Sequence, residues 1–519
     1  MNRRNFIKAV GLSSVALSLG SCSCQAGKNK IKLPNIIIVL ADDMGWGDPG
    51  CYNPKSLIPT PNMDRLALEG IRFTDAHSPS AVCTPSRYSL LTGRYAWRTW
   101  LKSGVVGGYT PCLIEPGRET LATMLKRKGY KCGFFGKWHL GLCWTRMNGF
   151  TPTWKDAEKM FRGSWQDQPP ETGLNVDFSK PVRGGPIDHG FHRAFFTAAC
   201  STIDGPFTFI SDDRVLARPD RQVSEFYDMT RGEEGSPRPG WIAPGFVLEE
   251  VDLAFTREAT AFINRCQAEA PDRPFFVELA LSAPHTPWLP PDFVKGKSGD
   301  GPRGDLIVLA DWCLGEVLKL LDRLNIADDT LIIMTSDNGP HPGIHGHQSS
   351  GPWRGYKTHI WEGGHRIPFI ARWPGRIKAG TTSSEPVCLT DIMATLSSLT
   401  GAAMTPEAGP DSYDMSPALL GKRLNQPIRE ALVYHSENGT FAIRQGEWKL
   451  ILDNETSGGW MPPSGEPPRA GTPGQLYDLA RDPLEEINLW DKHPEIVEQL
   501  SALLEKYRRE GRSAPLRRR

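Results

Sequence analysis

Two acidic runs sit directly behind apolar ones. "NIIIVLA" (Asn35 to Ala41) is followed by Asp42 and Asp43, and "TLIIMTS" (Thr330 to Ser336) by Asp337 and Asn338. Three carboxylates and an amide are all oxygen donors, which suits a hard divalent cation such as calcium or magnesium. A lone acidic pair is usually a solvated turn or a helix cap. Two pairs, each behind an apolar run and each with a glycine just beyond, point to one site. Basic groups follow the same rule. "YKCGFFGKWHLG" (Tyr130 to Gly141) brings Lys137 and His139, "PFFVELALSAPHTP" (Pro274 to Pro287) brings His285, and "GPWRGYKTHIWEGG" brings Lys357. A histidine transfers protons near neutral pH, and a lysine offers a compact charge to an anion. The set fits attack on a strongly anionic tetrahedral centre, a phosphate or sulfate ester. The nucleophile is not obvious. Cys83, in "SPSAVCTPSRYSLLTGRY" (Ser78 to Tyr95), is the candidate, yet a plain thiolate is a poor partner for an oxygen-seeking cation.

These residues need elements that bring them together. The apolar runs lack period-two alternation, so they read as strands buried on both faces. Helical stretches lie between them: "TPNMDRLALEGI" opens on Thr60 and Pro61, "ETLATMLKRKGY" stops at Gly129, and Asp305 to Leu324 carries an apolar stripe. Alternation of strand and helix predicts an α/β fold with a large, mostly parallel sheet sandwiched by helices, whose ligands bind beyond the carboxyl ends of the strands. From Thr381 to Leu424 the composition shifts toward Pro, Gly and Ser, as if the chain were leaving the main domain. Beyond it, strands around Asn438-Gly439 predict a smaller antiparallel sheet, closed by an amphipathic helix over His493 to Glu510. The expected organisation is a leader and linker over 1–30, a catalytic domain over 31–415 and a C-terminal subdomain over 425–519.

With 519 residues and a formal net charge of +1, the chain has no bulk electrostatics to recruit nucleic acid, so anion binding must be local. The N-terminus reads as an export signal: Arg3, Arg4 and Lys8 precede a short apolar run, Ala9 to Ser21. It ends in Leu19-Gly20-Ser21-Cys22, which resembles a bacterial lipobox, so a lipid anchor and a cell-envelope address (periplasm or outer-membrane lipoprotein) are expected. Nine cysteines lie beyond Cys24, with no C-x-x-C pair; nine is odd, so at least one is outside any internal disulfide.

Cys83-Thr84-Pro85-Ser86-Arg87, followed by Leu91-Thr92-Gly93-Arg94, resembles the signature of the formylglycine-dependent (type I) sulfatases. "ADDMGWGD", "TPNMDRLALEGIRFTDAH", "GKWHLG", "APHTP" and "TSDNG" extend the resemblance from Pro34 to the C-terminal helix, nearest to the arylsulfatase A and N-acetylgalactosamine-6-sulfatase type. It implies an alkaline-phosphatase-like fold. It also implies that a formylglycine-generating maturation enzyme converts Cys83 to 3-oxoalanine, whose hydrate supplies the missing oxygen nucleophile. By the same resemblance, Asp42, Asp43, Asp337, Asn338 and residue 83 hold one calcium, and Arg87 holds the aldehyde hydrate. Lys137 and Lys357 clamp the sulfate, His285 protonates the leaving alcohol, and His139 takes the proton of the second hydroxyl. A serine near the sulfate matches Ser201 best. The implied substrate is a sulfated carbohydrate, with a lean to 6-sulfated galactose or N-acetylgalactosamine. Rival readings are a phosphonate monoester or phosphodiester hydrolase of the same fold and a glycan-binding lipoprotein without catalysis.

Overall fold

The computed structural model describes residues 32–161, 170–453, 457–461 and 471–516. The export-signal and lipobox readings lie outside these residues. Leu33–Arg519 forms one compact unit.

Its centre is a ten-stranded sheet. Asn35–Ala41 lies in the middle, parallel to Phe275–Ala280 on one side and to Thr330–Ser336 on the other. Lys131–Lys137 and Arg193–Thr197 continue the parallel set beyond Phe275–Ala280. All five therefore end on the same edge. On the far side, Phe369–Arg372 runs antiparallel to Thr330–Ser336. The unbroken apolar run of the first strand explains its place. Ile36, Ile38 and Leu40 enter one core, Ile37, Val39 and Ala41 the other, and all six are fully buried. Helices Val251–Glu269 and Gly301–Arg323 cover the second face, and Cys83–Thr92 and Leu121–Arg127 the first. Truncating Ile37 to alanine in such a core costs about 2–5 kcal/mol.

The region from Thr381 to Leu424 does not leave the main domain. Thr381–Ser383 adds a parallel edge strand to the large sheet, beside Ile71–Phe73. Ile392, Met393 and Leu396 then sink into the core under the Cys83 helix. A Pro- and Gly-rich composition signals turns, and here the turns fold back onto the sheet. The four strands Leu432–His435, Phe441–Gln445, Trp448–Ile451 and Gln475–Asp478 form the antiparallel sheet, with the Asn438-Gly439 turn where the sequence puts it. Helix Pro494–Glu510 seals it by packing Leu500, Leu504 and Tyr507 on Val433, Ile443 and Leu450.

Candidate active site

The shared carboxyl edge delivers chemistry within a few residues of each strand's last hydrogen bond. Asp42 follows Ala41, Asp337 follows Ser336, Lys137 closes its own strand, and His285 stands just past Ala280. Backbone bonds lock these exits together: the Asp42 N–H donates to the Ala283 carbonyl and the Asp337 N–H to that of Ala41, both at 3.1 Å. Asp43 and His139 sit at positive φ, 68° and 53°. Left-handed backbone is costly for side-chain-bearing residues and concentrates where geometry serves a site.

Each buried carboxylate has its own cation. Lys137 Nζ donates to Asp42 Oδ2 at 2.5 Å, Lys357 Nζ to Asp43 Oδ2 at 2.7 Å, and Arg87 Nε to Asp337 Oδ2 at 2.8 Å. Arg87 also donates through Nη1 to the Lys137 carbonyl at 3.0 Å, tying the Cys83 helix to the Lys137 strand. Burial pushes the Asp42 carboxyl up, but Lys137, His285 and Arg87 together hold it well below the usual range. Asp337 goes the other way: burial and the charge of Asp42 outweigh Arg87 and push it well up.

Cys83 is the first residue of helix Cys83–Thr92, it is buried, and it is not in a disulfide. Burial raises its thiol, yet the Cys200 hydrogen bond, Lys137 and His139 overcome this and hold it well below an ordinary thiol, in keeping with a helix N-terminus. Its sulfur and one carboxylate oxygen each of Asp42 and Asp337 lie within 4.8 Å of one another.

The donor set fits a hard cation. Asn338 Nδ2 donates to Asp43 Oδ1 at 2.7 Å and to the Gly339 carbonyl at 2.9 Å, leaving its own oxygen as a free acceptor. Asn338 Oδ1 and Asp42 Oδ1 are both buried without a hydrogen-bond donor among the described residues. An orphaned buried acceptor costs about 1–3 kcal/mol, a penalty that an oxygen-liganded cation removes.

His285 faces the same cluster. Its Nδ1–H donates to the Thr286 carbonyl at 2.7 Å, so Nε2 is the nitrogen near Asp43 Oδ2, at 3.8 Å. Burial and Lys357 lower its pKa to about 3, so the ring is neutral in the free site.

Residues 34–402 match the sulfatase family. This chain belongs to that family. It is a sulfuric ester hydrolase. It is 35% identical to an N-acetylgalactosamine-6-O-sulfatase of Bacteroides thetaiotaomicron, over 92% of this chain and 94% of that one. It is 31% identical to human arylsulfatase A, over 92% and 88%. A solved Bacteroides thetaiotaomicron structure from work on the metabolism of multiple glycosaminoglycans superposes with a TM-score of 0.76 at 32% identity, covering 92% of this chain and 99% of that one. The architecture is the alkaline-phosphatase-like fold of sulfatases.

In this sulfatase the structure gathers Asp42, Asp43, Asp337, Asn338, Cys83, Arg87, Lys137, Lys357 and His285 into the network above, and His139 joins through Cys83 and Cys200. Ser201 is the exception. Its hydroxyl pairs with Thr197 Oγ1 at 2.7 Å, and it is the preceding Cys200 that faces the centre. The Cys200 sulfur is 3.6 Å from His139 Nδ1 and 3.7 Å from His285 Nε2. Sequence reasoning also missed His341, whose Nε2 is 3.5 Å from Asp43 Oδ2. Its one signal was position, three residues beyond Asn338.

Proposed function

We propose that this sulfatase removes 6-O-sulfate from galactose or N-acetylgalactosamine units of a glycan. In this reading Cys83 is matured to 3-oxoalanine by a formylglycine-generating enzyme, and one calcium is held by Asp42, Asp43, Asp337, Asn338 and residue 83. The observation that carries the substrate is the near full-length 35% identity to an N-acetylgalactosamine-6-O-sulfatase. The two orphaned acceptor oxygens support the cation. When present, the calcium and the hydrated aldehyde supply an oxygen nucleophile beside a Lewis acid, which a thiol cannot do.

The chain's own residues do the rest. Lys137 and Lys357, buried against Asp42 and Asp43, hold the sulfate oxygens and stabilise charge in a site that excludes water. Arg87 braces Asp337 and the first turn of the Cys83 helix, fixing residue 83 in line with the ester. His285 gives a proton from Nε2 to the departing sugar oxygen. Its lowered proton affinity, set by burial and Lys357, rises when the anionic ester offsets that lysine. His139 accepts the proton of the second hydroxyl at residue 83. We further read residues 31–415 as catalytic domain and 425–519 as a C-terminal subdomain packed on it. We read the Cys22 lipobox as the anchor of an envelope lipoprotein. No described helix is long and apolar enough to cross a membrane.

The test is a panel of defined sulfated mono- and disaccharides. Release of sulfate from 6-sulfated galactose or N-acetylgalactosamine is expected; activity confined to other positions overturns the regiochemistry. On matched aryl esters, kcat/KM higher for phosphate than sulfate would favour a phosphonate or phosphodiester hydrolase instead. An inert chain in which Cys83 stays a thiol would favour the glycan-binding lipoprotein.

A further inference from the structure

The catalytic centre is buried, and a sugar must be held where the site meets solvent. Exposure rises along one line of side chains: 7% for Lys357, 12% for His341 and 56% for Trp460. His341 is the hinge of that line. Its Nε2 approaches Asp43 Oδ2 at 3.5 Å, the same oxygen that Lys357 holds. Its ring meets Trp460 edge-on, with centroids 6.4 Å apart, and Trp288 likewise at 6.1 Å.

None of these groups is loosely placed. The Lys357 N–H donates to the Pro340 carbonyl at 2.8 Å, and Ser349 Oγ donates to the His341 carbonyl at 2.8 Å, so His341 is fixed relative to Lys357. Trp460 lies on a segment tied to the residues just after Lys357. The Ile360 N–H donates to the Ser457 carbonyl at 2.8 Å, and the Met461 N–H to Thr358 Oγ1 at 3.3 Å. Gly459 is required there, because a Cβ would lie 2.3 Å from Thr358 Oγ1. The strap thus holds the Trp460 indole in solvent next to His341, open to a ligand. Trp288 adds a second sign of a ligand: it is 7% exposed, and its indole N–H has no acceptor among the described residues.

We propose that Trp460, His341 and Trp288 form the sugar subsite of the proposed reaction, a deeper reading that rests on the 6-O-sulfate assignment. A galacto-configured ring carries an axial O4, which leaves the C–H bonds of C3, C4 and C5 together on one face. That apolar face stacks on the Trp460 indole, as aromatic side chains do with flat apolar surfaces. The ester oxygen at C6 then points inward past His341, whose Nε2 hydrogen-bonds an oxygen beside the sulfate. The Trp288 N–H finds its acceptor on the same sugar. A gluco ring, with equatorial O4, lacks the continuous face and stacks less well.

The experiment compares wild type with Trp460→Ala, Trp460→Phe and His341→Gln on 6-sulfated N-acetylgalactosamine and on ethyl sulfate, which has no ring to stack. Thermal melts confirm that each variant folds; Trp460 is exposed, so its replacement leaves the core intact. The ratio of kcat/KM for the sugar over ethyl sulfate is expected to fall at least fivefold in Trp460→Ala. That fall should be carried by KM, and Trp460→Phe should restore most of it. His341→Gln is expected to lower the same ratio. A ratio that falls less than fivefold in Trp460→Ala, whether both substrates suffer equally or neither does, overturns the subsite. A wild-type enzyme that cleaves ethyl sulfate but no 6-sulfated sugar refutes the underlying substrate reading, and is distinguishable because it needs no variant.

Discussion

Replacing Lys137 with methionine tests the electrostatics of the site, because the structure predicts opposite effects on catalysis and on metal affinity. Lys137 and Asp42 are both fully buried, and their side chains pair at 2.5 Å. Asp42, Asp43 and Asp337 are each matched to Lys137, Lys357 or Arg87, so an incoming cation meets carboxylates already engaged. Methionine keeps the volume of the lysine stem and removes the charge. Without metal, the Asp42 carboxylate is left buried with Arg87 Nη2 at 3.6 Å as its nearest remaining cation, and breaking a buried pair costs about 3–5 kcal/mol. With calcium, Asp42 regains a partner and a competing positive charge is gone. Two unit charges 4 Å apart at an effective dielectric of 20 interact by about 4 kcal/mol, so even a third of that is about tenfold in affinity. The proposed sulfate clamp is lost, and removing one such preorganised group lowers turnover by about 10²–10³. Isothermal titration with calcium, paired with kcat/KM on a sulfated sugar, reads both effects. Lys137→Met should bind calcium at least tenfold more tightly while losing two to three orders of magnitude of activity. Weaker calcium binding in a folded variant would make Lys137 a support of the metal site and not a competitor for it, the opposite of what its pairing with Asp42 predicts.

Three further outcomes follow from the same geometry. Cys200→Ala should lower kcat about tenfold, because the His139 and His285 rings, to which the proposed reaction gives proton transfer, lose the group packed between them, whereas Ser201→Ala, which removes a bond to Thr197, should stay within about threefold; steady-state kinetics of the pair distinguishes them. Glu278 is buried on the central sheet and pushed up to about 8 by burial, only partly countered by Arg87. The fold keeps a proton that the unfolded chain has already lost, so this stabilisation is complete below the ordinary 4.5 and is lost as pH rises to about 8; Glu278→Gln should flatten that decline in urea midpoints, at about 1.4 kcal/mol per pH unit. Chelation should lower the melting temperature, because Asp42 Oδ1 and Asn338 Oδ1 are again orphaned, and added calcium should raise it again with the logarithm of its concentration; an unchanged melt would show that no cation sits on these oxygens.

Much of the site was legible because a doubly wound sheet forces strand ends together. Once "NIIIVLA" and "TLIIMTS" read as buried parallel strands, their trailing Asp42 and Asp337 had to meet, and the register pairs Ala41 with Ser336. What stayed hidden depends on side-chain direction and on long-range packing. Nothing local says that Cys200 turns inward while Ser201 bonds Thr197. His341 lies in a loop whose position is set by hydrogen bonds from Lys357 and Ser349, which no periodic pattern announces. The edge strand Thr381–Ser383 is three residues long, too short for periodicity to reveal, and its Pro- and Gly-rich surroundings report turns rather than destination.

In the proposed reaction residue 83 acts through oxygen, not sulfur. Mass spectrometry of the peptide bearing residue 83, taken from active enzyme of the native host, tests it most directly. The peptide should be about 18 Da lighter than the cysteine form, the thiol having become an aldehyde rather than a sulfenic or sulfinic acid. A fully active enzyme whose peptide retains the free thiol mass would contradict it.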